Sequence, residues 1–388
     1  MDFALTNDQL ALVEAVANIT KQFDDAYWLA CDREASFPDA FYQAMVDGGW
    51  LGIAMPEELG GAGLGISEAA LMMQTVAKGG GGISAASSIH INIFGPHAIV
   101  VFGNEEQRRA WLPPLIEGKQ RCCFGVTEAG AGLDTGRITT RAERTAQGYL
   151  VHGSKIWTST AQKADKIMLL ARTTPADQCK RRTDGLSLFY TDLDRRYVEV
   201  QEIDKMGRAA VDSNAVFIDA LPVPKEHLIG EEGQGFKYLL HSLNPERILI
   251  AAEAVGLGQD ALRRATAYAG ERVVFDRLIG QNQAIQHPLA ESWIELHAAE
   301  LMVREAGWLY DEEKPCGAEA NAAKYLAAEA AHLAATRAVT THGGMGYARE
   351  YHVERLLRES MIPKLAPVSA QMILCYLAET VLGLPKSY

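Results

Sequence analysis

The sequence predicts an α+β protein in which a β-region is set between two helical regions, and two changes of hydrophobic periodicity carry that prediction. Between about Thr6 and Gln120, apolar residues recur at helical spacing, as in LALVEAVANI and AALMMQTVA, with Gly and Pro clusters such as MPEELGGAGLG between them. From about Arg121 to Gly235 the texture becomes short β-branched and aromatic runs bounded by turn residues: YLVHGSKIWTST, KIMLLART, LSLFYTDL, VEVQEI and AVFIDALPVP. From Phe236 onward helical patterns return in KYLLHSLNPERILIAAEAVGLGQDALRRATAYAGERVVF and in the Ala-rich ANAAKYLAAEAAHLAATRAVTTH. Alanine favours helix, and its small side chain lets helices approach closely. The expected divisions are an N-terminal α-helical domain over 1–120, a middle β-domain over 121–235 and a C-terminal helical bundle over 236–388. This order argues against a parallel βαβ fold, and no internal repeat, low-complexity linker, P-loop or Rossmann glycine pattern is visible.

Bulk composition narrows the function. A chain of 388 residues, 48% of them apolar, can bury a large core. Against 37 basic residues stand 49 acidic ones, a formal charge of −12 that would repel nucleic acid and anionic membranes, and no basic run offsets it. Six cysteines, Cys31, Cys122, Cys123, Cys179, Cys316 and Cys375, show neither CxxC nor zinc-ligand spacing, which points to a reducing compartment and no metal site. The opening MDFALTNDQLALVEAVANITKQF lacks a basic start followed by an apolar run, and no stretch reads as long and apolar enough to cross a bilayer. A soluble, cytoplasmic protein is the expectation.

Five motifs then stand in order along the chain: FGVTEAGAGLDT (124–135), GSKIWTST (153–160), VPKEHLIGEEGQGFKYLL, ERVVFDRLIGQNQAIQ (271–286) and HGGMGYAREYHVERLLRES. Each alone is weak, but together and in register over nearly the whole chain they resemble the acyl-CoA dehydrogenase family. The resemblance implies an N-terminal helical domain, a middle β-domain and a C-terminal four-helix bundle, with FAD as cofactor. An isoalloxazine ring needs a flat wall and polar groups aimed at its edge, where negative charge develops on reduction. By resemblance, Phe124, Val126 and Thr127 meet the flavin edge, Trp157 packs against the ring and the Ser159 hydroxyl approaches N5. In this family the cofactor lies between subunits. Arg272, Phe275 and Gln283 would reach a neighbouring chain's FAD, Arg272 pairing with pyrophosphate, and Gly343 and Gly344 would let backbone approach the adenosine end. A homo-oligomer, most simply a tetramer, is implied.

The chain also departs from the family pattern. Leu133 stands where a serine is usual and Ala129 where a proline is frequent. In PKLAPVSAQM, aligned through Ser369 and Gln371 as part of the cofactor site, Pro367 occupies the usual position of the catalytic glutamate, and proline offers neither a carboxylate nor a backbone N–H. Oxidation at Cα–Cβ needs a base for the α-proton while the β-hydrogen leaves as hydride to flavin N5. In HSLNPERILIAAEAVG, Glu246 matches the position where isovaleryl-CoA and long-chain members carry their base, with Arg247 beside it near the substrate. Ala86, Ser87 and His90, in SAASSIHINIFG, correspond to the far end of the acyl pocket. The implied function is FAD-dependent α,β-dehydrogenation of an acyl-CoA thioester to the trans-2-enoyl-CoA, with electrons passing to an electron-transferring flavoprotein. A flavin oxidase on the same fold, or a catalytically silent ligand-binding flavoprotein, are the alternatives.

Overall fold

The computed structural model describes residues 3–387. Its first layer holds α1 (Asn7–Thr20), α2 (Asp25–Glu34), α3 (Asp39–Asp47), α4 (Ile66–Val76), α5 (Gly82–Phe94), α6 (His97–Phe102) and α7 (Glu105–Ile116). Local chemistry sets several of these starts. Thr6 and Gln9 form a reciprocal capping box on α1, Asn104 and Gln107 do the same on α7, and Asp24 accepts from the Tyr27 N–H at the head of α2. The glycine-rich turn between α4 and α5 carries a steric requirement. At Gly82 φ is +58°, and a Cβ there would lie 2.6 Å from a Glu359 carboxylate oxygen. With that space open, Glu359 accepts from the Ser84 N–H at 3.1 Å and the Ser84 hydroxyl at 2.6 Å, which seats the first turn of α5.

The middle region is a seven-stranded sheet built from β1 (Cys122–Gly125), β2 (Arg141–Thr145), β3 (Gly148–Ser159), β4 (Lys166–Arg172), β5 (Leu186–Asp192), β6 (Val198–Glu202) and β7 (Ser213–Pro224). The order is β1-β4-β2-β3-β7-β6, with β5 antiparallel to β4. The long antiparallel pair β3–β7 shifts register twice, between Val151 and Gly153 and between Lys155 and Thr158. A bulge of this kind bends a strand and re-aims its side chains. At the second, Trp157 takes a left-handed φ of 62° and its ring stays 56% exposed.

The third region comprises α8 (Gly235–Glu271), the hairpin β8 (Val273–Val274) and β9 (Arg277–Leu278), α9 (Gln283–Asp311), α10 (Gly317–His342), α11 (Val353–Glu359), α12 (Ile362–Leu365) and α13 (Ala370–Thr380). Helix α8 is the central element. Ile248, Leu249, Ala252 and Val255 on it are buried with Met72, Met73 and Val76 of α4, Ile89 of α5 and Ala327, Ala331, Ala334 and Ala338 of α10 in one core. A Cβ on Gly258 would lie 3.0 Å from the Ala331 Cα, so the absent side chain and the alanine face together let α8 and α10 close on each other. Truncating the fully buried Leu249 to alanine is expected to cost about 2–5 kcal/mol.

One sequence expectation is corrected here. By length and composition alone, Ile66–Phe102 and Val353–Thr380 both pass the test for a bilayer-spanning helix, each at a mean hydropathy of 1.3. The first earns its apolarity as core, since most of its apolar window is buried in the protein. Each stretch is also divided into separate helices, α4–α6 and α11–α13.

Candidate functional site

A cavity of about 370 Å³ opens where the N-terminal part of α8, helix α5, one edge of the sheet and the loop before α13 converge. Each wall has an identifiable cause. The β1 end brings Phe124, Val126 and Thr127 to it, and the β3 bulge turns Trp157 and Ser159 toward it. The loop after β1 is anchored from beneath. Glu128 accepts from the Thr139 N–H and hydroxyl, both at 2.8 Å, from the Thr140 N–H at 3.0 Å and from Lys155 at 2.9 Å, and Lys155 also donates to the Val126 carbonyl at 3.1 Å. Burial alone would raise the Glu128 carboxyl, but the Lys155 charge and the threonine donors outweigh it and hold it at about 2. Burial in turn lowers the Lys155 ammonium to about 8.

Glu246 sits on α8 directly after Pro245 and faces the cavity. Proline inside a helix removes one i→i−4 hydrogen bond, here the one position 245 would donate to the His241 carbonyl. Burial lifts the Glu246 carboxyl to about 7, against the pull of the nearby His90, Arg247 and Lys324 charges. Its surface is only partly covered, because one side opens on the cavity, while protein surrounds that cavity. Arg247 donates to the Asn244 side chain at 3.0 Å, and its Nε is buried with no partner among the described residues. Pro367 lines the opposite wall with Ala366 and Val368. Lys324, 1% exposed in the middle of the alanine face of α10, donates to the Val368 carbonyl at 2.6 Å and thereby ties that loop to the bundle. Among the described residues the Val368 N–H forms no hydrogen bond.

At the inner end, Ser87 and His90 stand one turn apart on α5 and both line the cavity, while Ala86 is fully buried outside its lining. His90 Nδ1 meets Glu253, a fully buried residue two turns beyond Glu246 on α8. Burial opposes protonation of His90, yet the Glu253 carboxylate outweighs it and the His90 pKa is raised. The second Glu253 oxygen is buried without a partner. Arg208 enters from the segment before β7 in a left-handed conformation, φ 57°. It donates to the Ser213 hydroxyl at 2.7 Å, the Ser159 hydroxyl at 2.9 Å and the Ser87 hydroxyl at 3.3 Å, which leaves its buried Nε unpartnered.

The cavity therefore brings together Phe124, Val126, Thr127, Trp157, Ser159, Ser87, His90, Glu246 and Arg247, with Leu133 and Pro367 also in its lining. It does not include Arg272, Phe275, Gln283, Gly343, Gly344, Ser369 or Gln371. Arg272 ends α8, Phe275 is 94% exposed at the tip of the β8–β9 hairpin, Gln283 begins α9, and a Cβ at Gly343 or Gly344 would meet nothing within 4 Å. Ser369 caps α13 by accepting from the Met372 N–H. Sequence reasoning missed Arg208, Glu253 and Lys324. Two of them carried a signal: a charge set inside an otherwise apolar helical run, in ILIAAEAVGLG and ANAAKYLAAEA, marks a buried ionisable group.

Three models of acyl-CoA dehydrogenase domains match the chain: the N-terminal domain over residues 6–119, the middle domain over 123–221 and the C-terminal domain over 233–366. Acyl-CoA dehydrogenase FadE12 of Mycobacterium tuberculosis (strain H37Rv) is 33% identical over 399 residues, an alignment covering 100% of this chain and 99% of that one. Among solved structures, a chain from the study of the electron-transferring flavoprotein of Acidaminococcus fermentans superposes with a TM-score of 0.94 at 31% identity, covering 98% of this chain and 100% of that one. Butyryl-CoA dehydrogenase from Megasphaera elsdenii gives 0.93 at 28% identity, with the same coverage. Matches that span the three regions in order, over a shared architecture, place this chain in the acyl-CoA dehydrogenase family.

Proposed function

We propose that the chain dehydrogenates an acyl-CoA thioester at Cα–Cβ to the trans-2-enoyl-CoA, with Glu246 as the base. The observation that carries this reading is a carboxyl at the cavity wall whose pKa burial lifts to about 7. A base with that value is about half ionised at neutral pH and still basic enough to take a proton efficiently. Membership of the family supports flavin-dependent acyl-CoA oxidation in general, and the walls fit FAD. Trp157 offers an exposed flat ring, Ser159 a hydroxyl, and the loop past β1 has open space at Gly130 and Gly132, where a Cβ would meet nothing within 4 Å. FAD held there supplies the acceptor for the hydrogen and electron pair that leave Cβ.

The remaining roles fall to this chain's own groups. Glu246 takes the α-proton onto its carboxylate. Arg247 and Lys324 favour that carboxylate before the transfer, and the apolar walls of Phe94, Leu239, Leu243 and Ile250 exclude water from it. Negative charge then develops on the thioester oxygen. Pro367 offers no N–H to it, whereas the Val368 N–H, in a loop fixed by Lys324, is uncommitted and is the chain's candidate donor. The likeness to a chain in the structure of an electron-transferring flavoprotein supports a flavoprotein of that kind as electron acceptor.

Anaerobic titration of the flavinated protein with a panel of acyl-CoAs tests the reading. Bleaching of the flavin, followed by faster reoxidation by an electron-transferring flavoprotein than by oxygen, is the expected result. A fully flavinated protein that no acyl-CoA bleaches overturns the dehydrogenase reading, and reoxidation fastest with oxygen converts it to an oxidase.

A further inference from the structure

Arg208 is a charge at the cavity that the chemistry proposed above does not use. Its guanidinium lines the cavity, and among the described residues it forms no ion pair; three serine hydroxyls are its only hydrogen-bond partners. Three carboxylates lie near enough to act on it, but none is in direct contact with it. Asp212 accepts from the Gln162 N–H and from Asn214, Glu359 from Ser84 and Arg355, and Glu253 faces His90. A cation withdrawn from water with no counter-charge in direct contact is costly, and burial lowers the Arg208 pKa against the pull of those carboxylates. Arginine's planar fork is suited to a carboxylate, which it grips through two parallel N–H donors.

The surroundings fix where such a partner would sit. Arg208 contacts Ser159 on the sheet edge and Ser87 on α5, so it spans the space between the wall assigned to the flavin and the inner end assigned to the acyl chain. Beyond it, His90, held from behind by the buried Glu253, puts a polar ring in the cavity lining where a long hydrocarbon chain would need apolar atoms.

Building on the dehydrogenase reading, we propose that the acyl group of the substrate is short and ends in a carboxylate, and that Arg208 binds that carboxylate. The thioester of a dicarboxylic acid is the substrate class, and Arg208 acts as its specificity-determining residue.

Rates of anaerobic flavin reduction in the holoenzyme test this with length-matched pairs: succinyl- against butyryl-CoA, glutaryl- against valeryl-CoA, and adipyl- against hexanoyl-CoA. At least one carboxylated thioester should exceed its neutral partner in kcat/KM by about tenfold or more, the scale of a charge-assisted contact. Arg208→Gln should collapse that ratio by about tenfold, chiefly through KM, while Arg208→Lys, which keeps the charge, should retain part of it. Preference for the neutral thioester in every pair overturns the proposal and leaves the dehydrogenase reading intact. An unchanged ratio in Arg208→Gln, with both members of a pair slowed equally, also overturns it, because Arg208 would then serve the cofactor wall or the fold. If no thioester in either series reduces the flavin while longer acyl-CoAs do, the proposal falls and the dehydrogenase reading stands; if no acyl-CoA of any length does, both fall.

Discussion

Replacing Glu246 by glutamine should impair function and improve stability, and both effects come from one buried carboxyl. Its pKa is raised from 4.5 to about 7. A shift of that size, at about 1.4 kcal/mol per unit, amounts to about 3 kcal/mol. The sign follows from linkage. The folded state holds the proton more tightly than the unfolded chain, so the stability this proton brings is complete below pH 4.5 and is lost as pH rises through about 7. Glutamine keeps the shape and never ionises. Glu246→Gln should therefore match the parent in denaturant unfolding at about pH 4 and exceed it by up to about 3 kcal/mol well above pH 7. The same variant should keep its flavin spectrum and lose anaerobic reduction by acyl-CoA by about 10²-fold or more, because an amide cannot accept the α-proton. In the parent, reduction in the free-enzyme limit should rise with pH and level off above about 7, as Glu246 ionises. Near-normal reduction in Glu246→Gln would remove it as the base. A stability difference that does not vary with pH would show that its carboxyl is not perturbed.

Three further outcomes are expected. Arg272→Ala should lose FAD and oligomer stability together if the residue reaches a neighbouring chain's cofactor, since bound cofactor stabilises the assembly that contains its site; equal flavin content and an unchanged sedimentation profile would sink that assignment. His90→Ala alone should destabilise by about 3–5 kcal/mol because it leaves Glu253 buried and unpaired, whereas His90→Ala with Glu253→Ala should recover stability and shift kcat/KM toward longer acyl chains. If the double variant keeps the parent's chain-length profile, the pair does not bound the acyl pocket. Glu128→Gln should cost about 3–5 kcal/mol at neutral pH, because Lys155 loses its counter-charge. Glu128 has a depressed pKa, so its contribution is present above pH 4.5 and fades as pH falls through about 2, and denaturant curves for the two proteins should converge there.

Much of this architecture was legible because it rests on patterns that repeat locally. The short apolar run of KIMLLART and the helical spacing of AALMMQTVA each report their own element, and their order along the chain gives the three regions. Glu246, Trp157 and Ser159 could be singled out because each sits inside a run with a recognisable order. What stayed hidden is what tertiary structure alone assembles. Arg208 reads as an ordinary loop arginine until the sheet edge brings it against Ser87, 121 residues away in sequence. Glu253 gains its meaning from His90 on another helix, and Lys324 from the Val368 carbonyl. A buried charge and a solvated one are written with the same letter, and only packing separates them.

The second bulge in β3 makes the site sensitive to chain length in a way that substitution scans would miss. In an uninterrupted strand Lys155 and Thr158, three apart, would point to opposite faces. Here both are buried, and Trp157 and Ser159 both look into the cavity. Exchange of one side chain at 156 or 157 leaves that parity intact. Deleting either residue would restore a regular ladder with Lys155 and Thr158 still on one face, but it would remove the bulge that holds Trp157 in its left-handed turn. Lys155 and Ser159 would keep their faces, while Trp157, or the turn that presents it, would be lost from the cavity wall. In this stretch, spacing is therefore as much a determinant of function as residue identity, and insertions or deletions are the changes the strand cannot absorb.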